Sequence, residues 1–350
     1  MEGQGASLEP AGAAMIIRTN ALARAGLIGN PSDGYFGKTI ALTIRDFSAG
    51  VTLYESPKLE VLPEAQDLSR FGSLRELVTD VRLHGYYGGL RLLKATLKRF
   101  AEFCEDAGIV LPERNFTIRY HSDIPRLVGL AGSSAIITAA MRALILFFDV
   151  QIPQERLPGL ILSVETDELG ITAGLQDRVA QIYEGLVYMD FDKALMESRG
   201  FGRYEHLDVA ALPDLYFAYD IQYAEPTERT HRAVRVLYDR GNPKVVDTMK
   251  KIAFLADEMR DGLQRGDHQK IADLINRNFD LRREIFPISE GNRRMVETAR
   301  SCGASAKFAG SGGTIIGTYG GKPMLEALRQ RLEAIGCRVI VPDVGFSHDL

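Results

Sequence analysis

The segment PRLVGLAGSSA, residues 125–135, runs directly into the apolar stretch AIITAAMRALILFF, residues 135–148. The apolar stretch is shorter than the roughly 20 residues that a membrane-spanning helix needs, and it contains Arg142. The pattern therefore predicts a helix buried in the core of a globular protein, preceded by a glycine-containing loop.

The loop has the residue types of a phosphate-binding turn. Gly129 and Gly132 allow backbone angles that other residues avoid, so the chain can turn tightly there. Ser133 and Ser134 follow, where the helix is expected to begin. The N–H groups at a helix N-terminus carry partial positive charge and suit a polyphosphate, and a serine hydroxyl there can coordinate Mg²⁺. Serine is also a favoured N-cap residue. Taken alone, the segment leaves phosphate binding and simple helix capping equally open.

The composition is that of an ordinary soluble globular protein. Of the 350 residues, 45% are hydrophobic and 25% are charged, and the formal net charge is −4. These values exclude a predominantly disordered chain. They also give no electrostatic reason to expect nucleic acid or an anionic membrane as a partner.

The cysteines and the N-terminus indicate where the protein acts. Cys104, Cys302 and Cys337 are scattered and form no C-x-x-C pair, so neither a zinc ribbon nor a disulfide framework is expected. A reduced, cytoplasmic protein is the favoured interpretation. Residues 1–14, MEGQGASLEPAGAA, have neither the basic nor the apolar region of a secretory signal. We interpret them as a flexible tail.

Hydrophobic periodicity predicts a mixed α and β protein. The pattern starts again after residue 205, and the length suits two domains. We therefore predict one domain over residues 15–205 and a second over residues 206–350. The predicted strands include residues 16–28, 39–54, 116–120, 186–191 and 214–221, and the predicted helices include 90–104, 135–148, 243–264, 267–285, 292–302 and 322–335.

The sequence SDGYFGKT at residues 32–39 nearly satisfies the Walker A pattern, but Ser32 occupies the first glycine position. A P-loop also requires a helix immediately after the GKT residues. Here the continuation TIALTIRDF is β-branched and alternating, which predicts a strand. We therefore reject a P-loop and interpret Lys38 as a loop lysine or a substrate contact.

A second glycine-rich turn, KFAGSGG, occupies residues 307–313. Its residues Gly310, Ser311 and Gly312 would leave backbone amides open to an anion. A tight turn between two strands explains the same residues, and on this segment alone the turn is the favoured explanation.

Two carboxylates, Glu165 and Asp177, lie on either side of a predicted glycine-containing bend. Phosphoryl transfer needs one carboxylate to hold Mg²⁺ and another to orient or deprotonate the attacking hydroxyl. Carboxylates on helices are mostly solvated, so neither residue by itself establishes such a site.

Together these segments resemble the GHMP small-molecule kinases, a family that includes galactokinase, homoserine kinase and mevalonate kinase. ALARAGLIGNPSD at residues 21–33, PRLVGLAGSSA and KFAGSGG are similar to three family motifs and occur in the family's order. Within the family, the stretches NPSDGYFGKTIALTI and ELGITAGLQDRVAQIYEGLVYMDF look most similar to the plant glucuronokinases. The resemblance implies a two-domain α+β GHMP kinase fold, with a ribosomal protein S5 domain 2-like N-terminal domain and a ferredoxin-like C-terminal domain.

The resemblance also implies an activity, that of an ATP- and Mg²⁺-dependent sugar-1-kinase. D-glucuronate is the expected substrate and glucuronate 1-phosphate the expected product. An anomeric kinase of a heptose, an octose, galacturonate or a galactose-like sugar is an alternative, and a nucleotide-binding sensor without catalysis is another. We expect a monomer or homodimer with the active site in the cleft between the halves.

Positions in the motifs imply the roles of individual residues. Asp177 is expected to orient the anomeric hydroxyl and accept its proton, and Arg24 to neutralise charge on the transferring phosphoryl group. Asp33 is expected to bind sugar hydroxyls, while Ser133 and Glu165 hold Mg²⁺. The expected nucleotide-binding residues are Pro125, Gly129, Leu130, Ala131, Gly132, Ser133, Ser134, Gly310, Ser311 and Gly312.

Two departures from the wider family are visible. Asn30 and Pro31 stand where galactokinases carry a Glu–His pair that helps to bind the sugar, which argues against galactose. Ala131 stands where many members have glycine, and its methyl group leads us to expect a negative φ at that position.

A uronate carboxylate needs a cationic donor, and arginine offers a planar, two-pronged contact. The candidates for this contact are Arg178, Lys38, Arg282 and Arg283, and the sequence gives no basis for choosing among them. For Arg282 and Arg283, a solvated helix face is the favoured explanation. Tyr86 and Tyr87 are candidates for contacts with adenine.

Overall fold

A computed structural model describes residues 15–64, 67, 73, 75, 88–220 and 227–347, with only the backbone described at 227–231. The predicted tail at residues 1–14 and the proposed adenine contacts Tyr86 and Tyr87 lie outside the described residues.

The first half of the chain builds a six-stranded mixed sheet around one long strand, β2. The first residues of β2 pair with β5, its last residues pair with β4, and β1 runs antiparallel along most of its length. Because β2 begins at Lys38, no helix follows the near-Walker sequence, and the rejection of a P-loop is confirmed. The strands are β1 (Ile16–Ile28), β2 (Lys38–Glu55), β3 (Glu60–Val61), β4 (Phe116–Ser122), β5 (Leu186–Asp190) and β6 (Arg203–Leu207).

Five α-helices accompany this sheet in the described residues. They are α1 (Gly89–Asp106), α2 (Gly132–Phe148), α3 (Leu157–Ser163), α4 (Gln176–Tyr183) and α5 (Lys193–Arg199). Helix α2 is apolar on nearly all sides, which is typical of a buried helix, and it packs against β1 and β2. The prediction of a core helix behind the glycine loop is therefore confirmed.

The second half builds a four-stranded antiparallel sheet in the order β10-β7-β9-β8. Its strands are β7 (Leu215–Tyr219), β8 (Lys307–Phe308), β9 (Thr314–Thr318) and β10 (Arg338–Ile340). The helices are α6 (Thr227–Asp239), α7 (Pro243–Arg265), α8 (His268–Arg283), α9 (Glu290–Ser301) and α10 (Gly321–Glu333). The sequence analysis did not predict α6, because its sequence TERTHRAVRVLYD mixes charged residues with β-branched ones that favour helices weakly.

The two halves contact each other closely. The chain passes from the first sheet to the second between Leu207 and Leu215, so the predicted boundary near residue 205 falls inside β6. After β10 the chain returns to the first half, where Val344 forms a bridge with Ile44. The exact division into domains therefore stays a prediction. Among the described residues, no helix is both long enough and apolar enough to cross a membrane.

Candidate active site

The phosphate-loop candidate ends where α2 begins. The N-cap position is Ala131, and within the described residues no side chain caps the helix. Ser133 and Ser134 therefore lie inside the first turn and do not act as N-caps, so the capping explanation is wrong for this helix. The first N–H groups of a helix have no partner within it, and the glycine loop lies directly before them.

Ala131 has a φ of 63°, in the left-handed region. The expectation of a negative φ at this position is wrong. A non-glycine residue in this conformation is strained by roughly 1–2 kcal/mol, and such strain persists where the surroundings hold it. The Ala131 carbonyl accepts hydrogen bonds from Gln181 Nε2 at 3.0 Å and from Ser134 Oγ at 3.1 Å, and these contacts fix the turn.

The C-terminal glycine turn lies directly against this loop. It connects β8 to β9, as the sequence predicts. A Cβ atom at Gly129 would lie 2.9 Å from the Gly312 carbonyl oxygen, and one at Gly310 would lie 2.2 Å from the Gly129 carbonyl oxygen. The two turns pack backbone against backbone, which requires glycine at both positions. The segment is therefore a tight turn that also forms a wall of the candidate phosphate pocket.

Arg24 joins the two turns to the carboxylate of Asp177. It lies in β1 just after a register shift between Leu22 and Ala23, and such irregularities often redirect a side chain near a site. The buried guanidinium donates to the Gly129 carbonyl at 2.9 Å, to the Ala309 carbonyl at 3.1 Å and to Asp177 Oδ1 at 2.6 Å. One side chain thus spans three segments that are far apart in the sequence.

Asp177 lies in the first turn of α4. Its side chain is 21% exposed, and its Oδ2 atom lies 3.5 Å from Nη1 of Arg178. The N-terminus of a helix favours negative charge, and guanidinium groups flank the carboxylate on both sides. Asp177 is therefore held in place and still accessible to a bound molecule.

Glu165 lies in a π-helical turn, Val164–Glu168, that follows α3, and such turns are frequent at functional sites. Its buried carboxylate forms an ion pair with Arg178, which also donates to the Gly174 carbonyl at 2.8 Å. Burial, reinforced by Arg24, lowers the pKa of Arg178. The structure thus brings Glu165 and Asp177 together through Arg178. It gives no support to a direct contact between this arginine and the uronate carboxylate.

Asp33 faces the same region from a short 3₁₀ helix, Ser32–Tyr35. Its Oδ2 atom accepts a hydrogen bond from the Gln176 backbone N–H at 3.4 Å. A Cβ atom at Gly174 would lie 2.1 Å from the same oxygen, so this glycine lets the carboxylate approach the backbone. Burial, followed by the negative charge of Asp177, raises the pKa of Asp33. The two carboxylates are therefore close enough for their charges to interact.

Arg282 is 4% exposed, and its guanidinium donates to two carbonyl groups of the C-terminal glycine turn, at 2.8 and 3.0 Å. The prediction of a solvated helix face is wrong for this residue, because the turn packs over that side of α8. The prediction is confirmed for Arg283, whose side chain is 59% exposed.

Lys38, another candidate for the carboxylate contact, forms an ion pair with Asp257 of α7 at 2.8 Å. Asp257 also accepts a hydrogen bond from the Tyr188 hydroxyl at 2.6 Å. In this arrangement the lysine joins the two halves of the molecule, and its charge is already paired.

Sequence reasoning missed two buried polar residues beside the site, Lys307 and Asn278. For Lys307 a signal was available, because a lysine directly precedes the apolar residues Phe308 and Ala309 in KFAGSGG. No local pattern distinguishes Asn278, which lies in α8. Asn30 directs its side chain to Lys307 and to the Phe308 carbonyl.

The expected magnesium ligands suit a metal that binds together with a nucleotide. Mg²⁺ usually takes one or two carboxylates plus phosphate oxygens rather than a cage made only of protein ligands. Ser133 lies at the partly exposed mouth of the loop. Glu165 is buried, and its Oε2 atom is the one that pairs with Arg178. This donor set fits Mg²⁺ held between protein and phosphate.

A helix N-terminus behind a glycine loop, an arginine that reaches across it and an accessible carboxylate are the groups that phosphoryl transfer requires. The fold and the site together define a small-molecule kinase.

The family follows from two matches along the chain and from a curated relative. The family model "GHMP kinases N terminal domain" matches residues 91–185, and "GHMP kinases C terminal" matches residues 259–337. Glucuronokinase 1 of Arabidopsis thaliana is 44% identical over 306 residues, which cover 86% of this chain and 84% of that protein. The chain belongs to the GHMP kinase family.

Solved structures show the same fold at low sequence identity. The Lin0012 protein from Listeria innocua aligns with a TM-score of 0.75 at 13% identity, covering 95% of this chain and 98% of that one. Lactococcus lactis galactokinase complexed with galactose aligns with a TM-score of 0.73 at 16% identity, covering 94% of each chain. The predicted two-domain kinase fold is therefore confirmed.

Proposed function

We propose that this chain transfers the γ-phosphoryl group of ATP to the anomeric hydroxyl of D-glucuronate, giving glucuronate 1-phosphate. The observation that carries the proposal is the position of Arg24, which contacts the phosphate loop, the C-terminal glycine turn and Asp177 at once. The identity to a curated glucuronokinase over most of both chains supports the choice of sugar.

The proposed mechanism rests on positioning and charge. The backbone amides of residues 129–134 cradle the β-phosphate, and Asp177 orients the anomeric hydroxyl and accepts its proton. Arg24 neutralises the negative charge on the transferring group. Charge stabilisation by preorganised donors is worth far more in such a site than in water, so no covalent intermediate with the protein is needed.

We propose that Ser133 and Glu165 hold Mg²⁺ in this site. When bound, the ion neutralises charge on the nucleotide phosphates. Arg178 then acts as a positioning residue, because it holds Glu165 and borders Asp177.

The proposal also covers the cellular compartment and the oligomeric state of the enzyme. Cys104, Cys302 and Cys337 are free thiols, which suits a reducing cytoplasm. We propose that the enzyme works there as a monomer or homodimer, without nucleic acid or membrane partners. Light scattering of the purified protein measures its oligomeric state.

A coupled assay of ADP release, run on a panel of sugars, tests the substrate. The panel contains glucuronate, galacturonate, galactose and a heptose, each at the same concentration. The proposal predicts the highest kcat/KM on glucuronate. A higher kcat/KM on another sugar would identify that sugar as the substrate. ATP binding without ADP release on any sugar would identify a non-catalytic sensor.

Changing Ser133 to alanine is expected to raise the Mg²⁺ concentration needed for half-maximal activity by about tenfold, because a hydroxyl ligand is lost. The measurement is a Mg²⁺ titration of ADP release at saturating ATP and glucuronate. Ser198→Ala, which removes a serine hydroxyl from the exposed face of α5, is the control. An unchanged titration midpoint in Ser133→Ala would argue against its role as a ligand.

Changing Asp33 to asparagine is expected to raise the KM for glucuronate by about 10- to 100-fold, since hydrogen bonds to charged groups are worth about 1.5–3 kcal/mol. The KM for ATP should stay near its original value, because Asp33 lies on the 3₁₀ helix Ser32–Tyr35 and not on the loop proposed to bind the phosphates. Steady-state kinetics with each substrate varied in turn measure both constants. An unaltered glucuronate KM would remove Asp33 from the sugar site.

A further inference from the structure

Lys307 is the first residue of β8, and its side chain is buried between the two halves of the molecule, with 2% exposed. Its Nζ atom donates to the Gly26 carbonyl at 2.7 Å, to Asn30 Oδ1 at 2.5 Å and to the Phe308 carbonyl at 2.7 Å. An ammonium group has three donors, so these three acceptors satisfy it completely.

The surroundings of this ammonium group are unusual for a buried lysine. All three acceptors are neutral, and none of the described carboxylates forms an ion pair with it. Burial, with added repulsion from Arg282 and Arg24, lowers the pKa of Lys307 well below its ordinary value. A buried charge without a counter-charge is expensive, and strongly perturbed groups in a cleft are candidates for function.

The contacts of Lys307 adjoin those of Arg24. Gly26, whose carbonyl binds Lys307, donates its N–H to the Ala309 carbonyl at 2.7 Å, and Arg24 donates to that same carbonyl at 3.1 Å. A Cβ atom at Gly26 would lie 2.9 Å from the same oxygen. The strand that carries Arg24 and the segment that leads into the C-terminal glycine turn are therefore in direct backbone contact, beside the lysine.

A second buried residue completes this connection from α8. Asn278 accepts a hydrogen bond from the Gly29 N–H at 2.8 Å and donates to the Asn30 carbonyl at 3.2 Å. Lys307 holds the side chain of Asn30, and Asn278 holds its backbone. The turn after β1 is thereby fixed to the second half of the molecule at several atoms.

We propose that Lys307 is a positioning residue for phosphoryl transfer. Its ammonium group fixes the position of Arg24 and the phosphate loop relative to the C-terminal glycine turn. It does not touch the reacting atoms. Its effect is exerted through Gly26 and Phe308, whose neighbours contact Arg24 and line the phosphate pocket. This inference rests on the proposed kinase function.

The test is Lys307→Met, which keeps the side-chain length and removes the ammonium group. The kcat of ADP release at saturating ATP and glucuronate is expected to fall about 10²-fold, the loss produced by a displacement of about 1 Å. The KM for glucuronate should stay within about threefold of its value in the unsubstituted chain. The substitution leaves in place the contacts that bind the sugar equally well in the ground state and in the transition state. Circular dichroism and thermal unfolding establish the folded fraction to which kcat is normalised.

The matched control is Ser305→Ala in the same sheet. Ser305 is buried and exchanges hydrogen bonds with Thr318 at 2.8 Å, so its loss destabilises the sheet without touching the cleft. Its kcat per folded molecule should stay within about twofold of the unsubstituted chain. Equal kcat losses in Ser305→Ala and Lys307→Met, or an undiminished kcat in Lys307→Met, would overturn the positioning role.

Asn30→Leu provides a second test that leaves the lysine in place, and it decides the question if Lys307→Met does not fold. Removing this acceptor should lower kcat per folded molecule at least about tenfold, and an unchanged kcat would overturn the proposal. A chain that releases no ADP before any substitution would instead refute the proposed function, and with it this inference, so the two failures are distinguishable.

Discussion

Asp177→Asn is expected to lower kcat by about 10³- to 10⁴-fold, within the range reported for loss of a general base. The amide keeps the shape of the side chain but cannot accept the proton of the anomeric hydroxyl. It also removes the negative charge that faces Arg24 at 2.6 Å. ATP affinity should change little, because the amides proposed to bind the phosphates belong to α2 and its preceding loop.

The measurements are steady-state ADP release and the binding of a fluorescent ATP analogue. Asp257→Asn is the matched control, because Asp257 is also a partly exposed carboxylate, at 25% against 21% for Asp177, and is also paired with a cation. Its kcat should stay within about threefold. Near-normal turnover in Asp177→Asn would eliminate the assignment of the base.

Changing Arg24 to methionine is expected to lower kcat by about 10³-fold, the lower part of the range for an arginine that stabilises phosphoryl transfer. The kcat of Arg24→Lys should exceed that of Arg24→Met by less than about tenfold, because lysine is a point charge and lacks the planar fork of donors. The planar guanidinium uses separate nitrogen atoms to reach two carbonyls and one carboxylate, and the compact ammonium of a lysine cannot reproduce that spacing.

The same kinetic assay tests both Arg24 variants. Arg45→Lys supplies the control, since Arg45 forms a two-pronged pair with Asp343 that is remote from the cleft; its kcat should be unaffected. Full activity in Arg24→Lys would show that only a positive charge is needed and that the three-way contact is incidental.

Some of this site could be predicted from sequence because its signals are local. The glycine loop with its apolar helix, the strand after Lys38 and the turn at KFAGSGG each follow from neighbouring residues. Local patterns also place Glu165 and Asp177 on two helical pieces around a bend, as the structure has them.

The remaining features depend on contacts between distant segments. The sequence of its own helix predicts that Arg282 is a surface residue, but the carbonyls that accept its hydrogen bonds belong to another segment. Lys307 is buried where β1 and the turn after it supply two of its acceptors, Gly26 and Asn30. The left-handed angle of Ala131 is held by Gln181 from α4. No pattern confined to a few neighbouring residues contains these partners.

The most direct test of the account is a crystal structure of the protein with Mg²⁺, a non-hydrolysable ATP analogue and glucuronate. The account predicts phosphate oxygens on the amides of residues 129–134 and a carboxylate oxygen of Asp177 within hydrogen-bonding distance of the anomeric hydroxyl. A triphosphate bound elsewhere, or Asp177 turned away from the sugar, would contradict it.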